Sequence, residues 1–324
     1  MTNLLATRNR NPLAVAVAAL MGLSAPAAFA NSVFVTNCND SGAGSLRSAV
    51  AAANNSDTVD MTGLTTSSPG CANSTITLKT GDILVSQNNL TIRGPGQSAL
   101  TVTGKYNGTT EPERLFTHTG TGDITLEDFS MSKGYATNSA ATFGGCVSSN
   151  GTVLVSGVGM SGCTAKSTGA GAGGGAIYAA SSAIIKYSTI GLSSAQATTG
   201  FAYGGAVFAK GGVTVKYSSI SANFAETVSG KSGEGFGGGV FTIGNAYIRN
   251  SLISNNQSDA LVGGLSVRTS STTQTTILNS TITGNVAKSQ VGGAYLKAPT
   301  IAVYNSTIAF NTATNGGNYG PGLA

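Results

Sequence analysis

The sequence predicts an all-β fold, a single-stranded right-handed parallel β-helix or solenoid, in which the chain coils into stacked turns. Three rows of residues that recur about every 30 positions lead to this prediction. Two rows are apolar and stay in register, and the third consists of glycine pairs. The first apolar row is Leu126, Val155, Ile185, Val215, Ile248, Ile277 and Val303, the second is Met131, Met160, Ile190, Ile220, Ile253, Ile282 and Ile308, and the glycine pairs end at Gly145, Gly175, Gly205, Gly239, Gly264 and Gly293.

We expect the segments that bear these rows to form short strands with one buried face. Val213 to Lys216, for example, alternates apolar with polar side chains, as half-buried strands do. About three such strands fit in one repeat, and if one repeat makes one coil, equivalent strands stack ~4.8 Å apart. A propeller blade would need ~40 or more residues, and no leucine-rich pattern occurs. The right-handed winding is expected from the preference of parallel crossovers.

A fourth row predicts a ladder of amide side chains along the stack. It lies three residues after the second apolar row, and its last four members are asparagines, which can bond to one another from coil to coil. Asparagine also tolerates the left-handed backbone that a sharp corner requires. We therefore interpret this row and the glycine pairs as structural, since no phosphate-binding loop precedes a helix. The row is Cys163, Ser193, Asn223, Asn256, Asn285 and Asn311.

The start of the chain predicts export. Arg8 and Arg10 precede a largely apolar stretch, and Ala28 to Ala30 fit the small-residue pattern of a cleavage site. We expect a Sec-type signal peptide over residues 1–30, cleaved after Ala30, and one β-helix domain over residues 31–324. The apolar stretch falls short of the ~20 residues that span a bilayer, so no transmembrane segment is expected in the mature chain.

Within the domain we expect a cap over about residues 31–70 and coils over about residues 71–324. Leu46, Ala49, Val50 and Ala53 have helical spacing, and Ser45 is placed as the helix cap. A short N-terminal helix should therefore cover the open end of the first coil, which would otherwise invite aggregation. At the other end, the chain is expected to stop within an incomplete coil, shortly after a glycine pair at residues 316–317.

Four cysteines in an exported chain predict disulfides. No Cys-x-x-Cys spacing points to a metal site. Three pairings are possible, and we favour the sequential one, which joins Cys38 to Cys71 and Cys146 to Cys163. Each bond is expected to stabilise the fold by roughly 3 kcal/mol, because it restricts the unfolded chain.

Short motifs in the repeats resemble those of exported bacterial repeat proteins. Gly174 to Ile177 reads Gly-Gly-Ala-Ile, like the first motif of the polymorphic outer membrane proteins. Their second motif, Phe-x-x-Asn, is matched with Ile in place of Phe at the four asparagines of the ladder row. Ser45 to Ala49 is similar to the Ser-Leu-Arg-Glu-Ala segment near the start of many exported β-helix proteins. The resemblance covers about residues 33–317 and implies a surface-exposed or secreted, adhesin-like protein with no catalytic residue to transfer.

The repeat region is the basic part of the chain and also has its longest connections. The formal net charge is +5, and after residue 129 the chain has three acidic residues against ten lysines and arginines. Connections between the ladder row and the glycine pairs are longest at residues 164–173, 194–203 and 224–237. Because insertions on one edge of a solenoid often form its binding surface, we expect these segments to be loops that contact a ligand.

Three cations are expected to stack on one outer face. Lys186, Lys216 and Arg249 each lie four positions before the second apolar row, and Tyr187 and Tyr217 follow the first two. Like charges ~5 Å apart repel, and an anion laid along them relieves the repulsion. These five residues are our candidate binding residues for an acidic glycan. The alternative interpretation is a solvated stripe that only keeps the protein in solution.

An enzymatic alternative depends on one acidic cluster. Parallel β-helices include polysaccharide lyases and glycoside hydrolases, which need calcium ligands or paired carboxylates ~5 to 9.5 Å apart. Asp123, Glu127 and Asp128 form the local concentration of acids, with Arg114 and His118 nearby in sequence. We interpret the acids as a solvated face. The sole histidine has no partner motif that would indicate a nucleophilic site.

These observations favour a noncatalytic, exported protein, either secreted or held at the bacterial cell surface or outer membrane. Its expected partner is a host or environmental glycan or a cell-surface polymer. We predict no catalytic residue, no cofactor, no metal site and no nucleic-acid partner, and we expect a monomer. The alternative is a polysaccharide lyase or glycoside hydrolase that acts on an acidic polysaccharide.

Overall fold

The computed structural model describes residues 30–104, 114–227, 235–315 and 320–324. Over these residues the chain winds into a parallel β-solenoid of about 9 turns, which confirms the predicted fold class. The right-handed sense of the winding stays a prediction. The signal peptide predicted over residues 1–30 lies outside the described residues except for residue 30. The glycine pair at residues 316–317 also lies outside them. No helix in the described ranges is long and apolar enough to cross a membrane.

The described residues form five parallel sheets along the solenoid, and we number them I to V in the order in which one turn visits them. Sheet I has ten strands: Ser32–Phe34, Thr58–Asp60, Leu90–Arg93, Asp123–Glu127, Thr152–Ser156, Ser182–Lys186, Gly212–Lys216, Asn245–Arg249, Thr275–Leu278 and Ile301–Tyr304. Sheet II has nine: Thr75–Leu78, Thr101–Gly104, Ser130–Ser132, Gly159–Ser161, Thr189–Gly191, Ser219–Ser221, Leu252–Ser254, Thr281–Thr283 and Thr307–Ala309.

The remaining three sheets complete the turns, and sheet IV takes part in four of them. Sheet III has seven strands: Tyr135–Asn138, Thr164–Ser167, Ser194–Ala197, Phe224–Thr227, Gln257–Ser258, Val286–Ala287 and Thr312–Ala313. Sheet IV has four: Thr142–Phe143, Ala172–Gly173, Ala202–Tyr203 and Gly235–Phe236. Sheet V has eight: Ile83–Val85, Phe116–His118, Val147–Ser149, Ile177–Ala179, Val207–Ala209, Val240–Thr242, Leu265–Arg268 and Ala294–Lys297.

The two apolar rows form interior columns, as predicted. In sheet I, Ile185 pairs with Val215, and Val215 pairs with Ile248, so the three side chains stack. Each of them is fully buried. The second row stacks in the same way in sheet II, where Ile190 pairs with Ile220. Stacking of short half-buried strands therefore creates one core that runs along the solenoid axis.

Among the described residues four turns contain five strands each, the two turns before them contain three and the two after them contain four, so the prediction of about three strands holds only near the N-terminus. The segments expected to be loops at residues 164–173, 194–203 and 224–237 contain the strands of sheets III and IV. These strands enclose a small apolar cluster of their own, made only of alanines. With two to four residues per strand and such small buried side chains, they lack the apolar alternation by which sheets I and II could be recognised. The cluster comprises Ala172, Ala195, Ala197, Ala202 and Ala225.

The glycine row holds for three coils and then shifts by one residue. Val207 pairs with Val240 in sheet V, which places Gly205 against Gly238 and not against Gly239 as the doublet pattern predicts. The next coils continue this shift, since Val240 pairs with Leu265. The buried side chains set the register of the strands, and this register decides which glycines lie opposite each other in neighbouring turns. In a run of three glycines the sequence alone does not indicate which one takes that position.

The asparagine ladder is present and buried. Asn223 donates from Nδ2 to Asn256 Oδ1 at 2.9 Å, Asn256 donates to Asn285 Oδ1 at 2.9 Å, and Asn285 donates to Asn311 Oδ1 at 2.9 Å. The left-handed backbone, however, lies one residue earlier. That corner, after sheet II, comprises Lys133, Gly162, Leu192, Ala222, Asn255, Gly284 and Phe310. The ladder residues therefore serve by hydrogen bonding and not by their backbone conformation.

A second left-handed corner follows sheet I. Its members have φ between 45° and 63° and mark the point where the chain turns toward sheet II. Most of them are Asn, Asp or Gly, which enter this region at low cost. The members are Asp128, Gly157, Tyr187, Tyr217, Asn250, Asn279 and Asn305.

A helix covers the N-terminal end, as predicted. It spans Leu46–Ala52, and the hydroxyl of Ser45 accepts from the backbone N–H of Ser48. Its buried residues, Leu46, Ala49 and Val50, face the core. Gln87 donates to the backbone carbonyls of Val50 and Ala53 at 2.8 Å each, which fixes the helix to the solenoid.

Both predicted disulfides are present. Cys38 is bonded to Cys71 with a Cα–Cα distance of 4.9 Å, and Cys146 is bonded to Cys163 with a Cα–Cα distance of 5.4 Å. All four cysteines are buried. Cys163 occupies the ladder position of its turn, so the second disulfide closes the coil at the point where later coils use asparagine.

Candidate functional site

The three predicted cations lie on one outer face of sheet I. Lys186 pairs in register with Lys216, and Lys216 pairs with Arg249, so the residues form a column across three turns. We call Lys186, Lys216 and Arg249 the cation row. Neighbouring strands in a sheet lie about 4.8 Å apart, so the row brings three positive charges close together. At that spacing two charges repel by roughly 1 kcal/mol even in water.

No carboxylate of the described residues forms an ion pair with the cation row. Lys216 lies over the ring of Tyr247, with Nζ 5.1 Å from the ring centroid. A neutral ring is not a counter-ion, so this contact does not neutralise the charge of Lys216. The Nε atom of Arg249 is buried and has no hydrogen-bond partner. Buried donors are normally satisfied, so an unpaired one is uncommon.

Two exposed tyrosines lie beside the cation row at the corner after sheet I. The rings of Tyr187 and Tyr217 are parallel within 4° and their centroids are 5.2 Å apart. They are 61% and 44% exposed. Both have left-handed backbone, with φ of 49° and 51°, which costs about 1–2 kcal/mol for a residue with a side chain. Gly157 precedes them in the corner, and the side chain of Asp128 from the turn before reaches into the space beside this glycine.

The tyrosine pair forms one side of a shallow groove of about 800 Å³ that continues along the corner. Asn250, Leu252 and Asn279 extend it over the following turns, and serine and threonine side chains complete its wall. The groove thus offers flat rings and many hydroxyl and amide groups. These groups suit a ligand that has both apolar faces and hydroxyls, as a sugar does.

His118 is a structural residue. Its side chain is 1% exposed and lies inside sheet V. Because the carbonyl of Gln87 can only accept, Nε2 must donate to it at 2.9 Å, and Nδ1 then accepts from the Ser149 hydroxyl at 2.7 Å. Burial lowers the pKa of His118 from its ordinary value of 6.5, against smaller raising effects of Gln87 and Asp123. A neutral, enclosed ring of this kind has no access to a substrate.

The lowered pKa of His118 predicts that acid destabilises the fold. The unfolded chain protonates its histidine near pH 6.5, whereas the folded chain does so only at lower pH. The free energy of unfolding is therefore at its full value above pH 6.5 and decreases as the pH falls below 6.5. The slope cannot exceed about 1.4 kcal/mol per pH unit, the limit for a difference of one bound proton. Thermal unfolding at pH 7.5 and pH 5 measures this, and His118→Gln, which removes the only histidine, should lose less stability between the two. An equal loss in both proteins would contradict the prediction.

The acidic cluster does not converge. Asp123 and Glu127 are at opposite ends of one strand, about 13 Å apart along the backbone. Glu127 accepts from Arg93 at 3.2 Å, and Asp128 lies at the left-handed corner. Glycosidase carboxylates lie about 5 to 9.5 Å apart across a substrate. Within the described ranges no group of three or more His, Cys, Asp or Glu residues could hold a metal ion.

Arg114 connects two turns of the solenoid. Its guanidinium donates to the backbone carbonyls of Gly144 at 2.6 Å and Phe143 at 3.0 Å, and to Thr117 at 2.8 Å. Asp82 lies 4.0 Å from it. Burial lowers the pKa of Arg114, and the charge of Asp82 opposes that effect. With its donors used by the chain, Arg114 belongs to the framework.

A second candidate site was missed by the sequence interpretation. It is a cleft of about 460 Å³ between sheets IV and V, and we call it the aromatic cleft. A regular signal could have revealed it, because an aromatic residue precedes the glycine pair in three coils, at Phe143, Tyr203 and Phe236. The lining residues are Phe143, Phe201, Tyr203, Phe208, Lys210, Phe236, Phe241, Ile243 and Arg268.

Comparisons with known proteins do not assign the chain to a family. No protein-family model and no curated protein matches it. A solved structure described as Geobacillus virus E2 - ORF18 superposes with a TM-score of 0.38 at 11% sequence identity. The match covers 98% of this chain and 66% of that one, so this chain spans less than two thirds of that protein's length. A likeness this distant carries no argument about fold or function.

Proposed function

We propose that this protein is exported and contacts an acidic glycan, without catalysis, through the cation row and the adjacent tyrosine pair. The observation that carries the proposal is the column of three cations, which have no carboxylate partner among the described residues, beside two stacked and exposed rings. A polymer that bears carboxylates along its length can pair with successive cations. One compact anion could neutralise only part of the row.

The tyrosine pair supports a sugar as the repeating unit. An exposed ring presents a flat apolar face on which the apolar face of a sugar ring can pack. The left-handed backbone of Tyr187 and Tyr217 lies at positions where other turns use Asn, Asp or Gly. Strain retained at an exposed surface is typical of residues kept for binding.

Export and surface location belong to the same proposal. Two disulfides are typical of oxidising compartments, which supports passage out of the cytoplasm. The resemblance of the Gly-Gly-Ala-Ile and Ile-x-x-Asn motifs to the polymorphic outer membrane proteins supports an adhesin-like role, with the protein secreted or held at the bacterial cell surface or outer membrane. The separated carboxylates described above give no support to a lyase or hydrolase.

Replacing the cation row tests the proposal. We expect the triple variant Lys186→Gln, Lys216→Gln, Arg249→Gln to bind immobilised polygalacturonate at least about tenfold more weakly than the parent protein, because the attraction of the row is lost. Parent binding should weaken as salt is raised, since exposed charges are screened. The measurement is the dissociation constant at low and at physiological ionic strength.

A charge-matched variant separates a site from general attraction. Lys79→Gln, Lys288→Gln and Lys297→Gln remove the same charge from three exposed lysines elsewhere. This control should keep parental affinity. If it loses as much affinity as the cation-row variant, or if the cation-row variant loses none, the proposed site is wrong. Tyr187→Ala with Tyr217→Ala should weaken binding while its salt dependence persists.

A further inference from the structure

The aromatic cleft is built from two facing ladders of rings. In sheet V, Tyr178 pairs with Phe208 and Phe208 pairs with Phe241, so their side chains stack on the outer face of that sheet. In sheet IV, Tyr203 pairs with Phe236 and folds over the first ladder. The centroids of Tyr203 and Phe241 are 5.1 Å apart, which shows that the two ladders touch.

The cleft is open at one side and closed at its base. Phe208, Phe236 and Phe241 are each 4% exposed, whereas Phe201 and Ile243 at the mouth are 42% and 47% exposed. Its volume of about 460 Å³ falls within the range of small-molecule sites, ~300–1,000 Å³. Rigid strands of two sheets hold its walls, so the cavity is preformed.

Two cations lie against these rings. The guanidinium carbon of Arg268 is 3.9 Å from the ring centroid of Phe236 and 5.4 Å from that of Tyr295. Its Nε is buried without a hydrogen-bond partner. Lys210 lies at the mouth, with Nζ 5.8 Å from the centroid of Tyr178. Among the described residues no carboxylate forms an ion pair with either cation.

Charge and shape together select the ligand. Arginine matches a carboxylate in geometry and can bind it through two hydrogen bonds. The other lining groups are mostly apolar rings, which stack on planar apolar bodies and leave most hydroxyls of a sugar unpaired. We propose that the aromatic cleft binds a small planar aromatic carboxylate, with its ring among the phenylalanines and its carboxylate on Arg268.

This proposal is independent of glycan contact, because the cation row lies on sheet I. The probe is 2-naphthoate, whose fluorescence anisotropy reports binding directly, compared with its neutral amide, 2-naphthamide. We expect saturable binding of 2-naphthoate and at least about tenfold weaker binding of the amide, because the amide cannot form the charged pair. Equal affinities, or no saturable binding of 2-naphthoate, would overturn the proposal.

Variants locate the site. Arg268→Gln should weaken 2-naphthoate about tenfold and leave 2-naphthamide unchanged, and Arg268→Lys should lie between Arg268→Gln and the parent. Arg249→Gln, in the cation row, should have no effect on either compound. If Arg268→Gln fails to fold, the comparison of acid and amide on the parent protein still decides the question. If Arg249→Gln lost 2-naphthoate binding, the ligand would lie elsewhere. The same would follow if a folded Arg268→Gln variant kept its full affinity for 2-naphthoate.

A flexible aliphatic acid tests whether the cleft prefers a planar aromatic ligand to an alkyl chain. Decanoate has the same charged group and an apolar body that is not planar. Cinnamate, a planar aromatic acid, serves as the comparison. Decanoate should compete with 2-naphthoate at least about tenfold more weakly than cinnamate does, because decanoate cannot stack on Phe236 and Phe241. Equal competition by decanoate and cinnamate would overturn the assignment of a planar ligand.

Discussion

Replacing Gly175 with alanine should lower the free energy of unfolding by more than about 3 kcal/mol. A Cβ at position 175 would collide with the carbonyl oxygen of Gly205 in the next turn and would come within 2.5 Å of the carbonyl carbon of Ser194. Both contacts are with backbone, which cannot move aside as a flexible side chain does. Relief would require the turns to separate, at the expense of ladder hydrogen bonds on either side of this position.

A second glycine provides the control. Gly63→Ala adds a Cβ that meets nothing within 4 Å, and its backbone is outside the left-handed region. This variant should stay within about 1 kcal/mol of the parent. Denaturant unfolding followed by circular dichroism compares the two. If Gly175→Ala is as stable as Gly63→Ala, then the turns are not in contact at the glycine row, and the stacking that underlies every other interpretation is wrong.

The sequence predicts the solenoid because its period is visible at buried positions. Ile185, Val215 and Ile248 occupy one interior column, and a column accepts only similar apolar side chains in each turn. The ladder position is equally restricted, since a buried amide must find its partners in the adjacent turns. The sequential disulfide pairing was favoured among three possibilities and is the one that the structure has. Features that repeat because the core repeats can be read without a structure.

What the sequence left out depends on contacts that no period reports. Sheets III and IV bury small alanines in strands of a few residues, so nothing marks them as strands. The one-residue shift at Gly238 is decided by how Val207 meets Val240. The aromatic residues before the glycine pairs mark one wall of the aromatic cleft, but the rings of its other wall belong to sheet V and approach them only after the chain has folded back. Arg268 reaches this cleft from a further turn, and its position could not be predicted from spacing.

The candidate binding residues could be predicted from the sequence only in part. The register of Lys186, Lys216 and Arg249 could be predicted, because it follows from the row beside it. The absence of ion-pair partners for them within the described residues, and the parallel rings of Tyr187 and Tyr217, required the structure. Spacing alone therefore identifies where a surface row lies. Whether it is free to bind depends on its neighbours.

Replacing Asn256 with leucine should cost about 3–5 kcal/mol of the free energy of unfolding. Its Nδ2 donates to Asn285 Oδ1 at 2.9 Å and to the carbonyl of Ile220 at 3.0 Å. Its Oδ1 accepts from the Nδ2 of Asn223 at 2.9 Å and from the backbone N–H of Asn223 at 3.1 Å. Leucine has a similar volume and none of these groups, so buried donors and acceptors on three neighbours lose a partner. Each unsatisfied group costs about 1–3 kcal/mol.

Two further variants show whether the ladder is the cause. Asn256→Ser should cost less than Asn256→Leu, because Ser193 occupies the same column and accepts there from the backbone of Cys163 at 3.4 Å. Asn150→Leu, at an exposed asparagine outside the ladder, should change stability by less than about 1 kcal/mol. Equal losses for leucine at positions 150 and 256 would mean that water replaces the amides at no cost. Because Asn256 is fully buried, we expect the opposite: amides that bond from turn to turn bind each coil to the next along the solenoid.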